Sequence, residues 1–127
     1  MKKLLVLLFS ILISFNSYGK TVCVDPDSLE EGVIVYLPNE TKPFTGKNLC
    51  KYENGQIMLE VNYKDGKKDA LETWWYEHGQ KQSEGNYKEG KVDGKFTAWC
   101  ENGEIMIEVY YRDGKEAYSS TRSCVFY

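Results

Sequence analysis

Three glutamates are the residues of this chain whose type and spacing first suggest chemistry. Glu60, Glu84 and Glu108 fall 24 residues apart, so equivalent strands of a regular array would hold their carboxylates about 10 Å from one another. Paired carboxylates can act as general acid and general base. A recurring structural role, such as pairing with the lysine beside each turn, accounts for the same spacing, and we expect that role.

The remaining candidates for catalysis are equally sparse. His78 is the only histidine; it falls in a predicted turn and has no serine or cysteine partner in a recognisable motif. The glycines are separated by predicted strands, so they form no phosphate-binding loop. The sequence therefore predicts no catalytic residue, no cofactor and no metal site, and a chain that is not an enzyme.

The glutamate spacing is one column of a repeat that covers residues 46–117. Tyrosine, glycine and lysine keep the same 24-residue step, as in Tyr63, Tyr87 and Tyr111. A fixed period of this length is typical of stacked-repeat proteins. The three units are residues 46–69, 70–93 and 94–117.

Each unit carries two glycines that favour tight turns. Glycine takes a positive φ at no steric cost, and here it follows Asn or His at one turn and an acidic residue at the other. The turn glycines are Gly55, Gly66, Gly79, Gly90, Gly103 and Gly114. The runs between them are rich in aromatic and β-branched residues, which favour strands. Each unit is thus predicted to be a β-hairpin, and the series an elongated, single-layer antiparallel meander with terminal caps, an all-β fold.

The second strand of each predicted hairpin has one apolar face. Ile57, Leu59 and Val61 share that face in the first copy, with the period of two that marks a half-buried strand. Ser83 and Gly85 take the equivalent places in the middle copy. We expect large aromatic residues from the preceding strand to lean over these two small residues.

Aromatic residues supply the candidate binding surface. A row of them could form a stacking platform for a sugar or a peptide, although such rows are more often the internal packing of the sheet. The candidates are Tyr63, Trp74, Trp75, Tyr87, Trp99 and Tyr111.

The repeat resembles the bacterial variant form of the MORN repeat. That form reads aromatic–aromatic–x–x–Gly–Gln, then Glu, then Tyr–x–x–Gly–Lys, and the second unit matches it at Trp75–Gln80, Glu84 and Tyr87–Lys91. Pro43–Lys47 resembles the usual lead-in to the first copy. The resemblance covers residues 43–117.

The resemblance implies an elongated single-sheet solenoid that binds partners, and many bacterial members of the family are labelled antitoxins of the YwqK type. Two positions depart from the pattern. Lys51 stands where Trp75 and Trp99 occur, and Ala70 replaces a glycine. These departures loosen individual repeats and leave the predicted fold intact.

Residues 1–19 have the pattern of a secretory signal peptide. Lys2 and Lys3 form a basic head, Leu4–Phe15 is apolar, and the small residues Ser17 and Gly19 precede the expected cut. The alternative, a membrane anchor, is disfavoured because the apolar run is short for a bilayer. We expect an exported protein that is periplasmic, bound in the cell envelope or secreted.

The segments that flank the repeats are predicted to be caps. Residues 20–45 form the N-terminal cap, with a helical turn at Asp25–Glu31, a strand at Val33–Leu37 and a turn at Pro38–Thr41. Residues 118–127 form a closing edge strand or C-terminal cap.

The four cysteines predict disulfides, since an even number in a small exported chain is typical of disulfide-bonded domains. Cys50 and Cys100 are two repeats apart, roughly 20 Å, whereas a disulfide needs Cα atoms within about 7 Å. Pairing Cys23 with Cys124 would join opposite ends of the array. The pairs Cys23–Cys50 and Cys100–Cys124 remain, and the second requires the last segment to slip or fold back. Metal or redox sites are the alternatives, without a Cys-x-x-Cys motif.

The net negative charge of the predicted exported chain limits which partners it can bind. Removing Lys2 and Lys3 leaves 14 basic and 19 acidic residues, a net charge of −5, which argues against nucleic acid and anionic membrane surfaces. We expect an exported, non-catalytic MORN-repeat module that binds a protein. The alternatives are an antitoxin or immunity protein of a toxin–antitoxin pair and an envelope binder of glycan or lipid. The sequence leaves the partner, the binding face and the oligomeric state open.

The signal-peptide pattern gives a testable prediction. We expect the exported protein to begin at Lys20, because Ser17 and Gly19 occupy the −3 and −1 positions. N-terminal sequencing of the exported protein checks this, and a protein that still begins at Met1 would contradict it.

Overall fold

The computed structural model describes residues 20–24 and 33–125. The predicted signal peptide and the predicted helical turn at Asp25–Glu31 lie outside the described residues. The described residues form one sheet of eight strands. The strands are β1 Lys20–Val22, β2 Gly46–Lys51, β3 Ile57–Lys64, β4 Lys67–Trp75, β5 Lys81–Lys88, β6 Lys91–Trp99, β7 Ile105–Arg112 and β8 Lys115–Thr121.

The strands are neighbours in chain order, and every pair from β2 to β8 is antiparallel. This confirms the predicted all-β meander of hairpins. The first strand was not predicted: β1 pairs with β2 in parallel, and Lys20 lies opposite Gly46. Within the described ranges, no helix is long and apolar enough to cross a membrane.

The hairpins have two kinds of turn. At Asp65-Gly66 both residues have positive φ, 50° and 77°, and the flanking Lys64 and Lys67 pair directly, which is the two-residue type I′ geometry. At the opposite rim the loop is longer. Only Gly55 has positive φ there, and its N–H donates to the carbonyl of Tyr52, as in a type I turn closed by a left-handed residue.

A β-bulge interrupts each hairpin near its longer turn and changes which face one residue occupies. Cys50 pairs with Leu59, but Lys51 pairs with Ile57, so Met58 is the extra residue. Directly opposed residues point to the same side of a sheet, and Ile57 therefore shares the face of Lys51. The prediction that Ile57 and Leu59 share one face is wrong, because the bulge breaks the alternation between them.

One face of the sheet, here called the apolar face, is buried over the first repeat, where it is defined by Leu59, Val61 and Tyr63. These three side chains are at most 5% exposed. They pack under Val35, Leu37 and Phe44, which are also buried. A segment before β2 thus lies over the first repeat and supplies the second half of its core.

Val33–Leu37, predicted to be a strand, is not a strand of the sheet. The Val35 N–H donates to the carbonyl of Gly66, and the Phe44 N–H donates to the carbonyl of Val35. Its side chains nevertheless alternate between buried and exposed, as in a strand: Val35 and Leu37 are buried, whereas Tyr36 is exposed. The predicted turn is confirmed, because the Glu40 N–H donates to the carbonyl of Leu37.

In the middle copy, the small residues of the apolar face are covered by aromatic side chains from both neighbouring strands. Trp74 lies directly opposite Ser83, as the sequence predicted for an aromatic of the preceding strand. Gly85 is covered instead by Phe96 of the following strand, its cross-strand partner. A Cβ atom at Gly85 would collide with the Phe96 ring, so this position requires glycine for space.

Both predicted disulfides are present, Cys23–Cys50 and Cys100–Cys124, and no described cysteine is free. The second forms because β8 ends at Thr121, so Cys124 leaves the ladder. Its Cα atom lies 5.8 Å from that of Cys100, where a regular meander would hold them roughly 10 Å apart.

Ala70 provides a test of backbone strain. Ala70 has φ of 66°, whereas Gly94, one repeat later, has φ of 93°. We expect Ala70→Gly to raise the free energy of unfolding by about 0.5–1 kcal/mol, because relief of left-handed strain of about 1–2 kcal/mol exceeds the added unfolded-state entropy. Gly94→Ala should lower it by a similar amount, since an added Cβ there meets no atom within 4 Å. Urea melts measure both, and shifts of the same sign would refute this explanation.

The disulfides provide a second test. They link residues 27 and 24 apart in sequence, and replacing either pair by serine should lower the free energy of unfolding by roughly 3 kcal/mol. Peptide mapping without reduction should recover both bonds and no free thiol. A Cys50–Cys100 peptide would contradict the open meander itself.

Candidate functional site

The three glutamates that suggested catalysis each contact a lysine. Glu60 pairs with Lys47 at 2.5 Å and Glu84 with Lys81 at 2.5 Å. Glu108 pairs with Lys95 at 2.7 Å. All three partners belong to strands, and none of them is Lys67, Lys91 or Lys115, the lysines that follow the two-residue turns. We call the side that carries these glutamates the glutamate face.

Threonines separate the glutamates along the glutamate face. Thr73 lies opposite both Glu60 and Glu84 in the ladder, and its hydroxyl donates to Glu84 at 3.0 Å. The lysines neutralise the carboxylates, and the threonine between two glutamates separates their like charges and donates a hydrogen bond. The hydrogen bond from Lys95 to Glu108 also raises the pKa of the Lys95 ammonium. This arrangement supports a structural role for the glutamate column.

The candidate aromatic residues do not form one platform. Tyr63 belongs to the core: it is 5% exposed, and its ring centroid lies 5.8 Å from that of Phe44. Burial, together with the nearby charge of Glu72, raises the pKa of Tyr63 to about 12. Its hydroxyl therefore stays protonated and its ring is inaccessible to a partner.

Trp75 and Trp99 lie on the glutamate face. Each follows the bulge, opposite Lys81 and Ile105 respectively. The Lys81 ammonium lies 5.9 Å from the centroid of the Trp99 ring, within the range of a cation–π interaction. These tryptophans are partly exposed and are separated from the other four candidates by the thickness of the sheet.

Tyr87 and Tyr111 lie on the apolar face, opposite Ala70 and Gly94. The ammonium of Lys68 lies 4.8 Å from the centroid of the Tyr87 ring. Lys68 also forms an ion pair of 2.5 Å with Glu72, which is 7% exposed. A charged pair thus marks the boundary between the covered first repeat and the open part of the apolar face.

The open part of the apolar face contains a shallow groove of about 420 Å³. Of the six candidate aromatics, only Trp74 lines it. The residues of the groove are Trp74, Tyr76, Gln82, Ser83, Ala98 and Met106. The sequence did not predict the other five as site residues. One pattern pointed to two of them: Met58, Gln82 and Met106 recur at a spacing of 24 residues, and the bulges turn this position toward the apolar face.

The groove is the uncovered equivalent of the core in the first repeat. Ala98 and Trp74 occupy the column of Cys50, and Ser83 occupies that of Leu59. In the first repeat, Cys50 and Leu59 are at most 2% exposed beneath the N-terminal segment. In the later repeats no described segment covers these columns: Trp74 and Ser83 are partly exposed, and Ala98 is 7% exposed.

Side chains at the rim fix the repeats that carry the groove. The Tyr76 hydroxyl donates to the carbonyl of Trp99 at 2.8 Å, and Tyr52 makes the same bond to Trp75 at 2.6 Å. His78 Nε2 lies 2.9 Å from the carbonyl of Glu101. This contact indicates a structural turn histidine. Among residues 20–24 and 33–125, no cluster of His, Cys, Asp or Glu could hold a metal ion.

The comparisons with known proteins agree with this geometry. The family model of the MORN repeat variant matches residues 44–65 and 68–89. No curated protein and no solved structure matches the chain. The matched ranges cover the hairpin of β2 and β3 and nearly all of that of β4 and β5, with their Asn54-Gly55 and His78-Gly79 turns. The third hairpin repeats the same strand, bulge and turn pattern. Two of the three hairpin units are therefore similar to the MORN repeat variant.

Proposed function

We propose that this chain is an exported, non-catalytic binding module that engages a protein partner through the groove on its open apolar face. One observation carries the proposal. The apolar face is covered over the first repeat by a segment of the chain itself, whereas over the second and third repeats Trp74, Ala98 and Met106 line an open groove. Tryptophan, tyrosine and methionine are enriched where proteins bind one another.

The shape of the groove favours a protein over a small molecule. Sites for small ligands are concave and bury most of the ligand surface, whereas this groove is shallow and open. Apolar and polar groups also alternate along it, as Gln82 and Ser83 lie between the aromatic residues and Met106. A broad contact with a few apolar anchors suits such a surface.

The N-terminal segment indicates what kind of chain the apolar face accepts. Over the first repeat, Val35 and Leu37 insert and are 7% exposed, while Ile34 and Tyr36 point outward and are 40% and 50% exposed. We infer that the partner presents an extended segment with apolar side chains at alternate positions. Such a segment would place two side chains against Trp74 and Met106 as Val35 and Leu37 sit against Leu59 and Val61.

Two features support the other parts of the proposal. The glutamates of the repeat are held in ion pairs, which suits a structural role. The two disulfides are compatible with export. An antitoxin or immunity role of the YwqK type is a narrower form of the same proposal, and it requires a toxin that is met outside the cytoplasm.

The test uses two adjacent residues of equal exposure. Met106 is 37% exposed and lines the groove, whereas Ile105 is 38% exposed and pairs with Trp99 on the other face. We expect Met106→Glu to weaken capture of the protein partner by roughly tenfold or more, because an unpaired charge would be buried at the contact. Ile105→Glu is the matched control and should bind as the wild type does.

The measurement is capture of envelope and secreted proteins on immobilised wild type and both variants, followed by affinity measurement with the purified partner. Circular dichroism and intact disulfides verify that each variant folds. Equal binding by Met106→Glu and wild type would refute the groove as the site. Selective loss with Ile105→Glu would instead place the site on the glutamate face. Capture of a toxin would establish the antitoxin form of the proposal.

A further inference from the structure

The two edges of the sheet differ in how they are protected. At the first edge, β1 is three residues long, and the Cys23–Cys50 disulfide closes the chain immediately after it. Asn48 also holds this edge, since its side chain exchanges hydrogen bonds with the backbone of Val24. Short, tethered edge strands resist pairing with another chain.

The last edge is a longer strand, and its disulfide lies three residues beyond the end of the strand rather than directly after it. Six of the seven residues of β8 are exposed, and its outer side is paired with no described strand. Residues 117–121 contain no charge and no proline, the two devices that most often block edge pairing. The Arg122 N–H still donates to the carbonyl of Met106. Beyond it, Cys124 is joined to Cys100 beside the turn between β6 and β7.

An aromatic patch reaches this open edge. Tyr118 is 62% exposed and Tyr110 is 42% exposed, and their ring centroids lie 6.2 Å apart on the glutamate face. Lys95, the cross-strand neighbour of Tyr110, lies 5.9 Å from the centroid of its ring. A strand added beside β8 would cover Tyr118, the most exposed aromatic among the described residues of the sheet.

We propose that two copies of this chain dimerise by antiparallel pairing of their β8 strands, which would join the two sheets into one. A symmetric contact closes after two copies, whereas head-to-tail stacking would need the protected first edge. Antiparallel pairing is also the arrangement of every strand neighbour from β2 to β8. The pairing is independent of the groove, which lies on the apolar face.

Two antiparallel β8 strands are most complementary in the register that places Ser119 of one copy opposite Ser119 of the other. In that register Tyr118 of one copy lies opposite the small Ser120 of the other, and Ala117 lies opposite Thr121. At the ends of the pairing, Glu116 of one copy lies at the level of Arg122 of the other. Large residues thus meet small ones, and opposite charges approach each other at both ends.

The test measures oligomeric state by sedimentation equilibrium on the exported, disulfide-bonded protein at high micromolar concentration. We expect the wild type to sediment as a dimer and Tyr118→Glu as a monomer, because the variant places two carboxylates at the contact. Tyr36→Glu changes a tyrosine that is 50% exposed on the N-terminal segment, and it should remain a dimer. A monomeric wild type, or a Tyr118→Glu dimer, would overturn the proposal.

A cross-link tests the register. Residues that face each other across an antiparallel pair have Cα atoms about 4.5–5.5 Å apart, within the range of a disulfide. Ser119→Cys should therefore oxidise to a covalent dimer, with both native disulfides retained in peptide maps. Lys64→Cys, an exposed position on β3, should not cross-link. Failure of Ser119→Cys to cross-link in a protein that sediments as a dimer would overturn this pairing.

Discussion

A sheet of one layer has no second layer to bury its apolar face, and the rest of this structure depends on how that face is covered. The first repeat receives its cover from the preceding segment, whose Val35, Leu37 and Phe44 complete a core with Leu59 and Val61. Burial of apolar surface is the dominant favourable term in folding. The first repeat is therefore the best-packed part of the described sheet, and the later repeats carry the open surface.

The later repeats are held in place by bonds along both rims. At one rim, Tyr52 and Tyr76 each donate to a carbonyl 23 residues later, and Cys100 takes the same column in the third repeat and forms a disulfide to Cys124. At the other rim, the N–H groups of the type I′ turns reach carbonyls of the preceding unit, as Gly90 does to Lys68. Each repeat thus positions the next, as in other stacked arrays.

These bonds allow the open apolar face to remain ordered without a cover. Strand pairing and rim bonds satisfy the backbone polar groups, so the groove at Trp74 and Met106 is preformed. A preformed surface loses little conformational entropy when a partner binds. Among the described residues the glutamate face also has no cover, and ion pairs between its strands, such as Lys47–Glu60, balance its charges. One face is thus suited to apolar contact, and the other is polar along most of its length.

The sequence by itself determined the features that depend on local backbone chemistry. The 24-residue period specified the meander, and the Asp-Gly and Asn-Gly pairs specified the turns, because a positive φ is a property of single residues. The disulfide pairs followed from the reach of a disulfide along such an array.

Tertiary structure decided the features that depend on which strands meet. The bulge that separates Ile57 from the face of Leu59 appears only when β2 and β3 are paired. The cover formed by Val35 and Leu37 resembles a strand in sequence, because both a strand and a covering segment bury alternate side chains. Phe96 covers Gly85 across two strands that no local pattern connects. The groove follows from all of these, since it lies where the cover ends and the bulges turn Gln82 and Met106 toward the apolar face.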